Sequence, residues 1–115
     1  MTLDDVVAAL KHAGFWGIET EAGVAYARIA AQAPEFRVEC GAAGWRLVLP
    51  WNVRPPLAAM TDWNARMGVA HMDVQAGEAA LVMPFGDLAG WAVLAAEAEA
   101  HFIQWRRARR PAEGM

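Results

Sequence analysis

The stretch "TDWNARMGVAHMDVQAGEAALVMPF", Thr61 to Phe85, decides how this chain folds. Its first part is helical: Leu57, Met60, Trp63 or Asn64, and Met67 fall on neighbouring rows of a helix that Gly68 ends, glycine being the usual residue just past a helix. The period then changes. Ala70, Met72 and Val74 alternate with His71, Asp73 and Gln75, Ala76-Gly77 makes a turn, and Ala79, Leu81 and Met83 face inward on the way back. A helix thus hands over to a β-hairpin within a few residues. Asn64 is the polar exception inside the apolar helical pattern. Lying one turn before Gly68, its amide is expected to bond backbone in the turn leading into the strand.

Working outward, prolines precede the helix, where a missing N–H costs nothing, so it is placed at about residues 56–67. Beyond the hairpin, Pro84 and Gly86 stop the strand and Asp87 caps a last helix over about residues 88–108. Leu88, Trp91, Ala95, Ala98, Phe102 and Trp105 recur there at spacings of three and four. Leu94 and Ile103 add a second apolar row. This is more apolar surface than one contact face requires, so Leu88, Trp91, Leu94, Ala95, Ala98, Phe102 and Trp105 are read as a partner or dimer interface.

Upstream, Thr2 caps a helix over about 3–12, with Asp4 and Asp5 in its first turn and Leu3, Val6, Val7 and Leu10 on one face. Gly14 ends it. "FWGIETEAGVAYARIAAQ" reads as two strands around a turn at Glu21-Ala22-Gly23, with Trp16 and Ile18 on one face and the second strand at about 24–31. In "EFRVEC", Phe36, Val38 and Cys40 point one way and Glu35, Arg37 and Glu39 the other. "GAAG" turns the chain into "WRLVLPW", where Trp45, Leu47, Leu49 and Trp51 share a face and Arg46 can meet Glu39 or Glu35 across the hairpin. The order is α-β-β-β-β-α-β-β-α: an α+β domain over residues 1–110, with an antiparallel sheet whose apolar face carries the helices. Residues 111–115 are expected to fray.

The 115 residues suit one domain with a core of its own. The net charge of −3 is uneven. Residues 106–115 hold four arginines and one acid, leaving −6 on residues 1–105, which disfavours nucleic-acid binding. The arginines suit the negative end of the last helix. No long apolar run lacks charge, so no membrane span is expected. The acidic start does not resemble a signal peptide, and the expected location is cytoplasmic. The one cysteine, Cys40, permits no intrachain disulfide and reads as a small core hydrophobe.

Catalytic groupings are not apparent. His12, His71 and His101 fall on three separate elements without a second ligand at metal-binding spacing; His71 and Asp73 share a strand face but make only two ligands. The chain contains no serine, which excludes serine triads. Cys40, mid-strand on an apolar face, is a poor thiolate. No glycine-rich phosphate loop occurs. The expectation is a protein without enzymatic activity, metal or cofactor.

"WNARMGVAHMDVQAGEAALVMPF" and the order of elements together resemble the YbjN family of small bacterial proteins, described as sensory transduction regulators with the architecture of type III secretion chaperones. The carrying residues are Trp63, Asn64, Met67, Asp73, Gly77 and the helix after Asp87. The family's frequent Asp-Gly turn is Ala76-Gly77 here. The resemblance implies the same α/β sandwich, a homodimer and binding of a protein partner. The leading functional expectation is therefore a chaperone-like or regulatory adaptor that binds a protein through an apolar surface. The alternative is a small-ligand-binding sensory domain.

Overall fold

The computed structural model describes residues 1–51, 57–67, 70–75 and 78–113, and of these the side chains of 67, 74, 75, 78, 102 and 105–113 lie outside the description. The elements follow the expected order: α1 (Leu3–His12), β1 (Trp16–Glu21), β2 (Val24–Arg28), β3 (Glu35–Gly41), β4 (Gly44–Pro50), α2 (Leu57–Met67), β5 (His71–Gln75), β6 (Glu78–Pro84) and α3 (Leu88–Glu113). The strands form one antiparallel sheet in the order β1-β2-β3-β4-β6-β5, so β1 and β5 are its two edges. The fold class read from the sequence is the observed one. The Ala76-Gly77 turn and Gly68 lie outside the described residues.

Local chemistry explains the boundaries. Thr2 and Asp5 form a reciprocal capping box: the Asp5 N–H donates to Thr2 Oγ1 and the Thr2 N–H donates to an Asp5 carboxylate oxygen. Asp87 caps α3 through the N–H of Gly90, at 2.9 Å. The β1–β2 turn has two residues, Ala22 (φ 52°) and Gly23 (φ 81°), both left-handed as a twist-matched hairpin turn requires. β2 ends at Arg28, three residues before the end read from the sequence. α3 continues to Glu113, through Pro111, where a frayed tail is expected; its alanines and arginines are strong helix formers. At about 1.5 Å per residue its 26 residues run about 39 Å.

All three helices lie on one face of the sheet. A single core joins Val6 and Leu10 of α1, Met60 and Trp63 of α2, and Trp91, Ala95 and Ala98 of α3 to Ala25, Ala27, Phe36, Val38, Leu47, Leu49, Met72, Leu81 and Met83 of the strands. Each large side chain fully removed from water contributes about 1.5–3 kcal/mol. Phe36 is the aromatic hub, edge-on to Phe15 at 5.4 Å and to Trp91 at 5.5 Å.

Two residues depart from strict alternation. Cys40 is exposed, although Phe36 and Val38 on the same strand face are buried. Alternation sets the face, but Cys40 sits beside the β3–β4 turn, where it is no longer covered. Trp16 is 56% exposed while Ile18 packs on the core. Gly17 (φ 58°) lies within a register shift between Trp16 and Glu19, and this bulge separates two residues expected on one face.

Candidate interaction surfaces

The stripe on α3 is used within the chain. Trp91 is 0% exposed, and Ala95 and Ala98 are equally enclosed; Leu88 and Leu94 are half-buried against the same core. Trp91, Ala95 and Ala98, expected on a partner surface, are instead enclosed within the chain. The apolar sheet face needs a cover, and the row of large and small residues on α3 supplies it. Small alanines at 95 and 98 let the helix lie close to the strands. The side chains of Phe102 and Trp105 lie outside the described residues. Among the described residues of α3, the large apolar side chains that are exposed are Val93 and Ile103. One cost shows inside: the Trp91 indole Nε1 is buried without a hydrogen-bond partner.

The Trp63-Asn64 pair closes one sheet edge. The Asn64 Oδ1 accepts from the Met72 N–H at 2.7 Å, and its Nδ2 donates to the Met72 carbonyl at 3.2 Å. A single side-chain amide thus takes the place of a neighbouring strand at the second residue of β5. Next to it, Trp63 Nε1 donates to the Ala70 carbonyl at 3.3 Å. Trp63 also meets the His101 ring of α3 edge-on at 5.7 Å. Asn64 had been expected to bond backbone near the helix–strand turn; the partner is Met72, further into the strand. Strand edges offer unpaired N–H and C=O groups to any passing strand, and here α2 occupies those of Met72. Asp73, on the sheet face opposite the helices, is exposed and pairs in register with Ala80. Gly77 lies outside the described residues.

The other edge is different. β1 is exposed along almost its whole length, and α1 packs against both β1 and β2. Glu21 and Val24 flank the two-residue turn and pair with each other. Alternation along an antiparallel ladder then turns the Thr20 N–H and C=O outward. Trp16, Glu19 and Glu21 stand along this rim, all exposed.

Across the helix-free face runs a row of register partners: Glu19, Tyr26, Arg37, Val48, Val82 and His71, one from each strand. Val48 and Val82, with Ala80, form a second, small buried apolar cluster there. Beside it Glu39 is shared by two guanidinium groups. Arg37 Nε donates to one oxygen and Arg46 Nη2 to the other, the latter at 3.0 Å. Of the two partners expected for Arg46 across the hairpin, Glu39 and Glu35, the structure shows Glu39. Partial burial opposes the charge on Glu39, but the hydrogen bonds and positive charge of Arg37 and Arg46 outweigh it and hold its carboxyl below the usual range.

His12, His71 and His101 are on separate elements, and among the described residues no three His, Cys, Asp or Glu side chains cluster as metal ligands. No described helix is long and apolar enough to cross a membrane. No protein-family model matches the chain, and no curated protein or solved structure matches it.

Proposed function

We propose that this chain is a non-enzymatic interaction module that binds an extended segment of a partner protein along the β1 edge. The supporting observation is the asymmetry of the sheet: Asn64 of α2 occupies the outward groups of Met72 on the β5 edge, whereas β1 is exposed along almost its whole length. An added strand would pair with the outward groups of Thr20 and cover Trp16 and Ile18, with main-chain bonds giving affinity and alternate side chains giving choice. Glu19 and Glu21 favour a segment carrying lysine or arginine. In a homodimer through this edge the same acids would lie near one another, which is repulsive, and the bulge at Gly17 also disfavours self-pairing. The partner is therefore a different chain. An exposed lone thiol at Cys40 suits a reducing compartment, and the reading places the protein in the cytoplasm.

The test uses a short peptide of alternating lysine and valine, followed by amide NMR. Expected are shifts and hydrogen-exchange protection at Ile18 and Thr20, with no response to a glutamate–valine peptide. Thr20→Pro removes the outward donor on an edge that tolerates proline, and should abolish binding while the fold persists. A lysine–valine peptide that perturbs α3 instead, or leaves β1 unchanged, refutes the proposal.

A further inference from the structure

At the corner where the β3–β4 turn meets the ends of β5 and β6, the helix-free face holds a pocket of about 310 Å³. Its walls are the turn, residues 41–44, with Arg46, His71, Val82 and Pro84. This volume is at the lower end for small-molecule sites. The register explains the gathering: Arg46 pairs with Pro84 and His71 with Val82, so all four side chains point to one face of three adjacent strands.

The polar chemistry is concentrated in Arg46. Its Nη2 is held by Glu39, a carboxylate it shares with Arg37, and its Nε is enclosed with no partner at all. An enclosed guanidinium N–H left unmade is costly, and a bound acceptor would relieve that cost. The Nε runs alongside Gly41, where an added methyl would sit 3.5 Å away, so the glycine keeps this side of the guanidinium uncrowded. His71, one strand beyond Val82, adds a second ring N–H donor at the far wall. Between them the lining is apolar: Val82, Pro84 and the alanines of the turn.

We propose that this corner pocket binds a small carboxylate with a flat apolar body, the carboxylate facing Arg46 and the body lying on Val82 and Pro84. The site is separate from the β1 edge and does not depend on the partner assignment there. Arg46 is the specificity residue, because a guanidinium reads a carboxylate by paired N–H donors and rejects a cation of the same shape.

The test is calorimetric titration of the intact chain with benzoate and with indole-3-acetate, using benzylamine as the cationic control and acetate to isolate the anion. Expected is binding of the two aromatic acids, weak or no binding of acetate, and none of benzylamine. Arg46→Gln should weaken benzoate by about tenfold or more, the value of a charge-assisted hydrogen bond. Gly41→Ala, which crowds Nε without touching a charge, should weaken it too while leaving the melting temperature in place. Should Arg46→Gln disturb the fold, Gly41→Ala alone decides. Equal binding of benzoate and benzylamine, no binding of either acid, or undiminished benzoate binding by a folded Gly41→Ala overturns the proposal.

Discussion

Replacing Asn64 by leucine should open the β5 edge. The substitution keeps the branched outline and improves the helix propensity, but removes both partners of Met72, whose N–H and C=O lie 2.7 and 3.2 Å from the amide. A backbone group left unsatisfied costs about 1–3 kcal/mol, the lower value applying where water can reach it. Both bonds are only part-buried, so the two losses together amount to about 2 kcal/mol. With about 2.1 cal/mol/K of unfolding entropy per residue, that lowers the melting temperature of a 115-residue chain by about 8 °C. Urea titration and amide exchange give the assay. Exchange at Met72 should accelerate in the variant, while Leu81 on the paired strand keeps its protection. Asn64→Asp sharpens the case: it can still accept from the N–H, but at neutral pH its carboxylate faces the Met72 carbonyl oxygen. It should be at least as destabilised as the leucine variant at pH 7 and should recover in part once protonated. A leucine variant that melts within a degree or two of wild type, with Met72 equally protected, would show that Asn64 does not hold the edge.

Trp63 and Trp91, both buried, should answer differently to phenylalanine. Trp63→Phe leaves the Ala70 carbonyl without its donor and should cost about 1–3 kcal/mol beyond the change in packing, whereas Trp91→Phe removes an indole N–H that has no partner and should cost less; denaturant midpoints compare them, and equal losses would contradict the reading. Acid should weaken the sheet through Glu39. Its folded carboxyl lies below its ordinary value, so its contribution is fully present above that value, near pH 4.3, and is lost as pH falls through the folded value. The stability gap between wild type and Glu39→Gln should therefore shrink from pH 6 to pH 3, and a gap that stays constant would refute the role. Asp5 acts in the same direction, its carboxyl lowered chiefly by the bond from the Thr2 backbone; Asp5→Asn should flatten the same pH profile.

Much of the fold was legible because its signals are local. Alternation in residues 35–51 sets which face each side chain takes, Thr2 and Asp87 announce helix starts, and Ala22-Gly23 fits a two-residue hairpin turn. These depend on backbone geometry within a few residues, and they carried the element order and the antiparallel sheet. The sequence placed Glu35 and Glu39 within reach of Arg46, and the strand register selected Glu39. Signals failed where the deciding neighbour is distant. The apolar stripe of α3 has the same spacing whether it covers its own sheet or a partner, and only the placement of Trp91 beside Phe36 distinguishes the two. Cys40 alternates like a core residue, but alternation carries no information about how far the core extends along a strand.

By itself, then, the sequence determined the elements, their order, the side of the sheet that would be apolar, and the unusual character of Asn64 and of the tryptophans. Tertiary structure decided what those residues do. The bulge at Gly17 turned Trp16 outward, α2 brought the Asn64 amide against Met72, and the sheet order set Arg46 and His71 around one pocket. The physical reason is range: hydrogen-bond propensity and side-chain period act over a few residues, while edges, pockets and buried faces exist only between strands and helices that the chain has brought together.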